Sequence, residues 1–238
     1  MKLNEGSGAS RPTANATQWG QNFRKAHLGL FSTDRSMTPS PEELAAARAQ
    51  WQWRGQRRPP FAAVPQPGQV SVWDFPRPPQ LSFDAREVLV RWAGVEVART
   101  RRAVRVLETA HPPSFYLPWD DVARAYFQPA PGSSFCEWKG PARYWSLVDG
   151  NRYLPRVAWS YPQPLAGAEA LADCVALYPT DLECSVEGEP VTPQPGRFYG
   201  GWITPELTGP VQGRGGQRSM VRRGGADPHQ QRPSGMDP

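Results

Sequence analysis

Apolar residues are spaced in two ways along this chain, and the change from one to the other marks where it folds. Within residues 41–54, Leu44, Ala47 and Trp51 recur at three- and four-residue intervals, which predicts one amphipathic helix. Ser40-Pro41-Glu42-Glu43 supplies its start, with a capping serine, proline at the first helical position and glutamate at the third; Gly55 supplies its stop. The apolar stripe is too narrow to stabilise a free helix, so it docks on the neighbouring core or binds something else, and docking is the expected outcome.

From residue 70 the texture changes to short β-type runs broken by turns. Residues 88–92 and 95–99 flank Ala93-Gly94, and residues 144–148 run into Asp149-Gly150; both read as hairpins. Further strands are predicted at 104–108, 157–161, 175–178 and 184–186, and short helices at 118–123 and 167–172. Strands this short, without regular helix alternation, predict a mainly β fold over residues 70–212: a compact antiparallel domain with one or two short helices. Residues 1–69, apart from the helix near 41–54, and residues 213–238 are rich in Gly, Pro, Ser, Gln and Arg. They hold too little apolar surface to offset the entropy of ordering and are expected to be disordered arms.

Charge sharpens this division. Residues 1–65 hold nine basic and four acidic side chains and residues 213–238 five and two, which leaves 13 basic against 16 acidic for the part between. The basic character belongs to the arms. Weak, salt-sensitive contact of those arms with nucleic acid is the most it supports, and a nucleic-acid reading face on the domain is not expected. Cys136, Cys174 and Cys184 are odd in number and lack C-x-x-C pairing. With no apolar leader and no run of about 18 apolar residues, the expectation is a cytoplasmic protein without a membrane contact. His111 and the cysteines lack the spacing of a zinc site, so no metal is expected, and no motif identifies a cofactor.

Five stretches taken together resemble a known family. They are Val72-Trp73-Asp74-Phe75-Pro76-Arg77-Pro78-Pro79; Leu107-Glu108-Thr109-Ala110-His111-Pro112-Pro113 with Tyr116-Leu117-Pro118; Phe135-Cys136-Glu137-Trp138-Lys139-Gly140 with Tyr144-Trp145-Ser146; Ala158-Trp159-Ser160-Tyr161-Pro162; and Pro195-Gly196-Arg197-Phe198-Tyr199-Gly200-Gly201-Trp202. The segment is similar to the domain of unknown function 427 family, also called NTP_transf_9. That resemblance implies a β-rich domain of the β-tent kind, two antiparallel sheets meeting at an angle, with no established activity. Ala110 departs from the pattern, which has a small hydroxyl residue there. The alternative name suggests nucleotidyl transfer, yet the chain has no Gly-Ser followed by an Asp-x-Asp pair to hold metal around a triphosphate, and no phosphate-binding glycine loop.

Lysine usage points to candidate chemistry. Only Lys2, Lys25 and Lys139 stand among 27 basic residues, and Lys139 alone falls in the expected domain. In a chain that writes its cations as arginine, a lone ammonium beside Cys136 and Glu137 suggests a compact point charge or a deprotonatable amine. Glu108 and His111 are expected to join it, with the carboxylate orienting the imidazole and raising its basicity, and Pro112-Pro113 stiffening the backbone behind. The blander reading is that these two tie a loop to nearby backbone. Cys136 would be a thiolate nucleophile if Lys139 or His111 favoured its charge, and otherwise a small buried hydrophobe. Tyr144, Trp145, Trp159, Tyr161, Tyr199 and Trp202 are candidates to wall a cleft for a planar or sugar-like ligand, with Arg143 and Lys139 meeting an anionic group and Gly200-Gly201 letting backbone approach the ligand. The leading expectation is a domain that binds a small anionic or nucleotide-like molecule, with acid–base capacity for hydrolytic or transfer chemistry. The rival is a non-catalytic protein-interaction module.

Overall fold

The computed structural model describes residues 38–196 and 198–213. The sequence readings for residues 1–37, Arg197 and residues 214–238 lie outside the described residues.

Helix α1, Pro41–Ala49, begins as its sequence dictates: Ser40 Oγ accepts from the Glu43 amide at 3.2 Å, and the Glu43 carboxylate accepts from the Ser40 amide at 2.7 Å. It ends at Ala49, short of Gly55. Beyond it Trp51 and Trp53 are held by different parts of the domain: Trp51 lies under the Arg77 guanidinium, while Trp53 packs beside Val72 and Trp73. Those two anchors outweigh the helical propensity of the segment.

The strands in chain order are β1 Val70–Ser71, β2 Gln80–Asp84, β3 Val88–Trp92, β4 Val95–Thr100, β5 Ala103–Leu107, β6 Ser114–Pro118, β7 Phe127–Cys136, β8 Gly140–Asp149, β9 Arg152–Ser160, β10 Cys174–Leu177, β11 Glu183–Val186, β12 Glu189–Pro190, β13 Thr192–Pro193, β14 Trp202–Ile203 and β15 Leu207–Thr208. They make a seven-stranded antiparallel sheet in the order β2-β5-β6-β10-β9-β8-β7, a four-stranded antiparallel sheet in the order β12-β11-β3-β4, and two short ribbons, β1 with β15 and β13 with β14. The mainly β expectation holds, and the predicted short helices are the single 3-10 turns Trp119–Asp121 and Glu169–Leu171.

The hairpin at Ala93-Gly94 has both turn residues at positive φ, 50° and 80°, the backbone twist a two-residue hairpin favours. Strand β7 escapes sequence reading because Pro129, Pro131 and Gly132 interrupt it. It is tolerated because β7 is the last strand of its sheet and its register shifts between Ala130 and Ser133, so the missing amides leave no central ladder broken.

The seven-stranded sheet is apolar on both faces. One face sends Phe115, Leu117, Leu147, Ala158, Val175 and Leu177 against Val88, Val90, Val97 and Val186 of the smaller sheet. The other carries Val104, Tyr116, Ala176, Trp159 and Tyr144, which lie side by side in one row through the pairings Val104↔Tyr116, Tyr116↔Ala176, Ala176↔Trp159 and Trp159↔Tyr144. This second face is the floor of a cavity. From residues 38–69, placed in the leading arm by composition, Ala47 and residues 50–53 line it; the segment is held by Arg48 donating to the Glu137 carbonyl at 2.9 Å and Phe61 meeting the Trp73 ring edge at 5.1 Å.

Candidate ligand-binding cavity

The cavity is about 720 Å³, the size range of small-molecule sites. Its floor is the aromatic row of the large sheet; its walls are the 107–113 loop, the β7–β8 turn, residues 178–181, residues 198–200 and the Ala47–Trp53 part of the arm. Glu108, His111, Lys139, Cys136, Tyr144, Trp159, Tyr161 and Tyr199 all line it, although they come from five separate segments of sequence.

Three other candidates lie elsewhere, and strand geometry explains why. Arg143 and Trp145 flank Tyr144 on β8, and successive strand residues point to opposite faces. With Tyr144 on the floor, Arg143 is exposed outside the wall and Trp145 packs on the other face, its ring 5.0 Å from that of Trp119 and its indole donating to Ser160 at 2.9 Å. Trp202 is fully buried against Phe115, and its indole donates to the Leu177 carbonyl at 3.0 Å. It is core.

Glu108 sits at the end of β5 with both carboxylate oxygens engaged. Oε1 accepts from Arg77 Nη2 at 2.7 Å and Oε2 from Lys139 Nζ at 3.2 Å. Burial alone would raise the Glu108 carboxyl, but Lys139, Arg77 and His111 outweigh it and hold it at about 2. Lys139 is the mirror case. Burial would lower it, yet the fields of Cys136 and Glu108 keep it above the ordinary lysine value. Because burial also pushes the Cys136 thiol up, against the pull of Lys139, the sulfur is neutral and Glu108 is the charge that holds the ammonium. Of the two readings of Cys136, burial favours the small buried hydrophobe, and Lys139 fits a point charge rather than a free amine.

His111 lies close enough to Glu108 to act on its carboxyl, and its ring has a further partner that the sequence did not suggest. Gln194 Oε1 accepts from the Gly201 amide at 3.1 Å, which fixes the orientation of its side-chain amide, and Nε2 then faces His111 Nδ1 at 3.0 Å. An amide nitrogen donates only, so Nδ1 is the acceptor in this pair, and when the ring is neutral its proton sits on Nε2. Gln194, with a second bond from Nε2 to the Gln212 carbonyl at 2.6 Å, orients the imidazole. Gly200 and Gly201 likewise make room for protein rather than ligand: a Cβ on Gly200 would sit 2.2 Å from the Trp159 ring, and one on Gly201 2.7 Å from the Pro112 carbonyl.

Sequence reasoning missed four contributors. Arg77 has a side chain with no exposure; it bridges Glu108 and the Thr109 carbonyl and lies 3.2 Å from the centre of the Trp51 ring. Glu137 turns inward, its Oε1 accepting from the Trp51 indole at 2.9 Å. Tyr116 and Gln194 complete the set. Arg77 and Glu137 stood inside quoted motifs, and an arginine among Pro76, Pro78 and Pro79, unable to sit in a ladder, was the available signal. Tyr116, Tyr161, Tyr178 and Tyr199 are all held uncharged, burial pushing each phenol above its ordinary value.

Strand order and this buried cluster coincide with the stretches that carried the family resemblance. Residues 80–188 match the NTP_transf_9 family model, a domain of unknown function (DUF427). The match covers β2 through β11, hence the cavity floor with Glu108, His111 and Lys139. Arg77, Trp51, Gln194 and Tyr199 come from outside it. No curated protein matches the chain. Among the described residues, no helix is long and apolar enough to cross a membrane, and no three His, Cys, Asp or Glu side chains gather as a metal site would need.

Proposed function

We propose that this domain binds a small planar molecule in the aromatic-walled cavity. The observation that carries the reading is convergence: Glu108, His111 and Lys139, far apart in sequence, line one hollow whose floor is the Tyr116, Trp159 and Tyr144 row. A flat ring system, nucleoside- or sugar-like, would stack on that floor and exchange water contact for aromatic contact.

Charge favours the ring over a phosphate among the ligands suggested by sequence. Arg77 and Lys139 are opposed by two carboxylates, Glu108 and Glu137, while the exposed Arg156 guanidinium lies over the Tyr144 ring at 4.0 Å. An anion would enter a wall whose cations are already matched, and an unmatched buried charge is costly. Acid–base catalysis is supported less than binding. A Glu108 carboxyl held at about 2 and a lysine held above its ordinary value are both far from the neutral range in which a general acid or base works best.

Thermal unfolding across a metabolite library, run on the full chain and on Tyr144→Ala, tests this. A ligand stabilises the state it binds, so the expected result is a set of flat compounds that raise the wild-type midpoint and lose that effect in the variant. Compounds that stabilise both proteins equally would place binding elsewhere.

A further inference from the structure

Polar groups in the cavity are mostly consumed by one another, and those left over form a pattern. Glu137 is 7% exposed and lines the cavity; its Oε1 is taken by the Trp51 indole, while among the described residues Oε2 has only the Cys136 thiol at 3.9 Å. Lys139, two residues on in the same turn, spends one of its three N–H groups on Glu108. Tyr116 is 1% exposed, and its hydroxyl accepts from the Trp159 indole at 3.0 Å, which leaves its own proton without an acceptor among the described residues. Glu137 and Lys139 sit on the same β7–β8 turn and, with Tyr116, line one cavity. One carboxylate oxygen thus stands unspent in the same cavity as two unspent kinds of donor, above an aromatic floor. Buried polar groups are ordinarily satisfied, and a ligand edge would satisfy these.

We infer that the cavity reads a lactam edge, a ring carbonyl next to a ring N–H, with the carbonyl oxygen accepting from Lys139 Nζ and the Tyr116 hydroxyl and the N–H donating to Glu137 Oε2. This rests on the planar-ligand reading and narrows it to heterocycles of the oxo-purine or oxo-pyrimidine type. The edge requires a neutral ligand, in keeping with the matched charges of the wall. It also makes the arm a selector, because Trp51 turns Glu137 by holding its other oxygen.

Binding of uridine, guanosine, 3-methyluridine and 1-methylguanosine to the full chain, by calorimetric titration, decides it. Uridine and guanosine bind, and a methyl on the lactam nitrogen weakens each about tenfold or more, the loss expected when a hydrogen bond to a charged group is removed. Glu137→Gln narrows the gap between each parent and its methylated form, and Tyr116→Phe weakens both parents. Methylated and parent nucleosides binding equally, or neither parent binding while other flat compounds do, overturns the lactam edge and leaves the planar-ligand reading standing. If neither the nucleosides nor any library compound binds, both fall.

Discussion

The guanidinium of Arg77 lies 3.2 Å from the centre of the Trp51 ring while its Nη2 donates to Glu108 at 2.7 Å. A residue of the arm thereby caps the charge cluster of the domain. The stack removes one face of the guanidinium from water, and the carboxylate supplies the counter-charge that such burial requires. Among the described residues Nε and Nη1 of Arg77 have no hydrogen-bond partner, so the ring, the carboxylate and the Thr109 carbonyl carry its stabilisation.

Trp51→Ala should therefore cost more than an ordinary half-buried tryptophan. We expect a loss of about 2–4 kcal/mol in denaturant unfolding, from the stack and the buried ring area together. Trp51→Phe keeps the stack and loses the indole bond to Glu137, so it should cost about 1 kcal/mol. Limited proteolysis should cut Trp51→Ala, and not Trp51→Phe, within residues 50–58.

Glu108 links stability to pH. Its carboxyl is held at about 2 in the folded protein against an ordinary value of 4.5. A depressed carboxyl contributes stability that is present above the unfolded value and lost as pH falls through the folded one. The wild type should lose about 3 kcal/mol from this group between pH 5 and pH 2. Glu108→Gln leaves Arg77 and Lys139 without their carboxylate, so it should be about 3–5 kcal/mol less stable at pH 7 and lack this part of the acid slope. Equilibrium unfolding of both proteins at pH 7, 5 and 3 measures the difference.

The Phe198-Tyr199-Gly200-Gly201-Trp202 segment is fixed by close approach. A Cβ at Gly201 would meet the Pro112 carbonyl at 2.7 Å and Gln194 Oε1 at 2.4 Å. Gly201→Ala should destabilise by about 1–3 kcal/mol, as overpacking does. Because Gln194 orients His111, the His111 ring resonances should shift in the variant.

Ala93 holds φ 50° in an exposed hairpin turn, a conformation asparagine tolerates better than alanine. Ala93→Asn should raise the unfolding free energy by about 0.5–1 kcal/mol and leave ligand binding unchanged.

Much of the fold was legible because it rests on local rules. Ser40 to Glu43 form the capping box their order suggests, and Ala93-Gly94 makes the turn its residue types suggest. Strand β6 was missed because it is central and buried on both faces, so Phe115, Tyr116 and Leu117 read as one apolar run without alternation. The site was legible in its types and less so in its directions. Glu108, His111 and Lys139 were found from chemistry, whereas placing Arg143 and Trp145 beside Tyr144 on one wall overlooked the two-residue period of β8. Gln194 and Trp51 enter through contacts between distant segments, and nothing in their own surroundings announces that.

Tryptophan side chains report directly on where a ligand sits. Trp51, Trp53, Trp73 and Trp159 line the cavity, while Trp145 and Trp202 pack on the opposite face of the same sheet. Titrating the strongest stabilising compound into ¹⁵N-labelled protein and following the indole N–H resonances reads both sets at once. The account predicts saturable shifts at Trp159 and Trp51 with Trp145 and Trp202 unmoved. Shifts confined to Trp145 and Trp202, or a bound compound that moves no cavity indole, would contradict it.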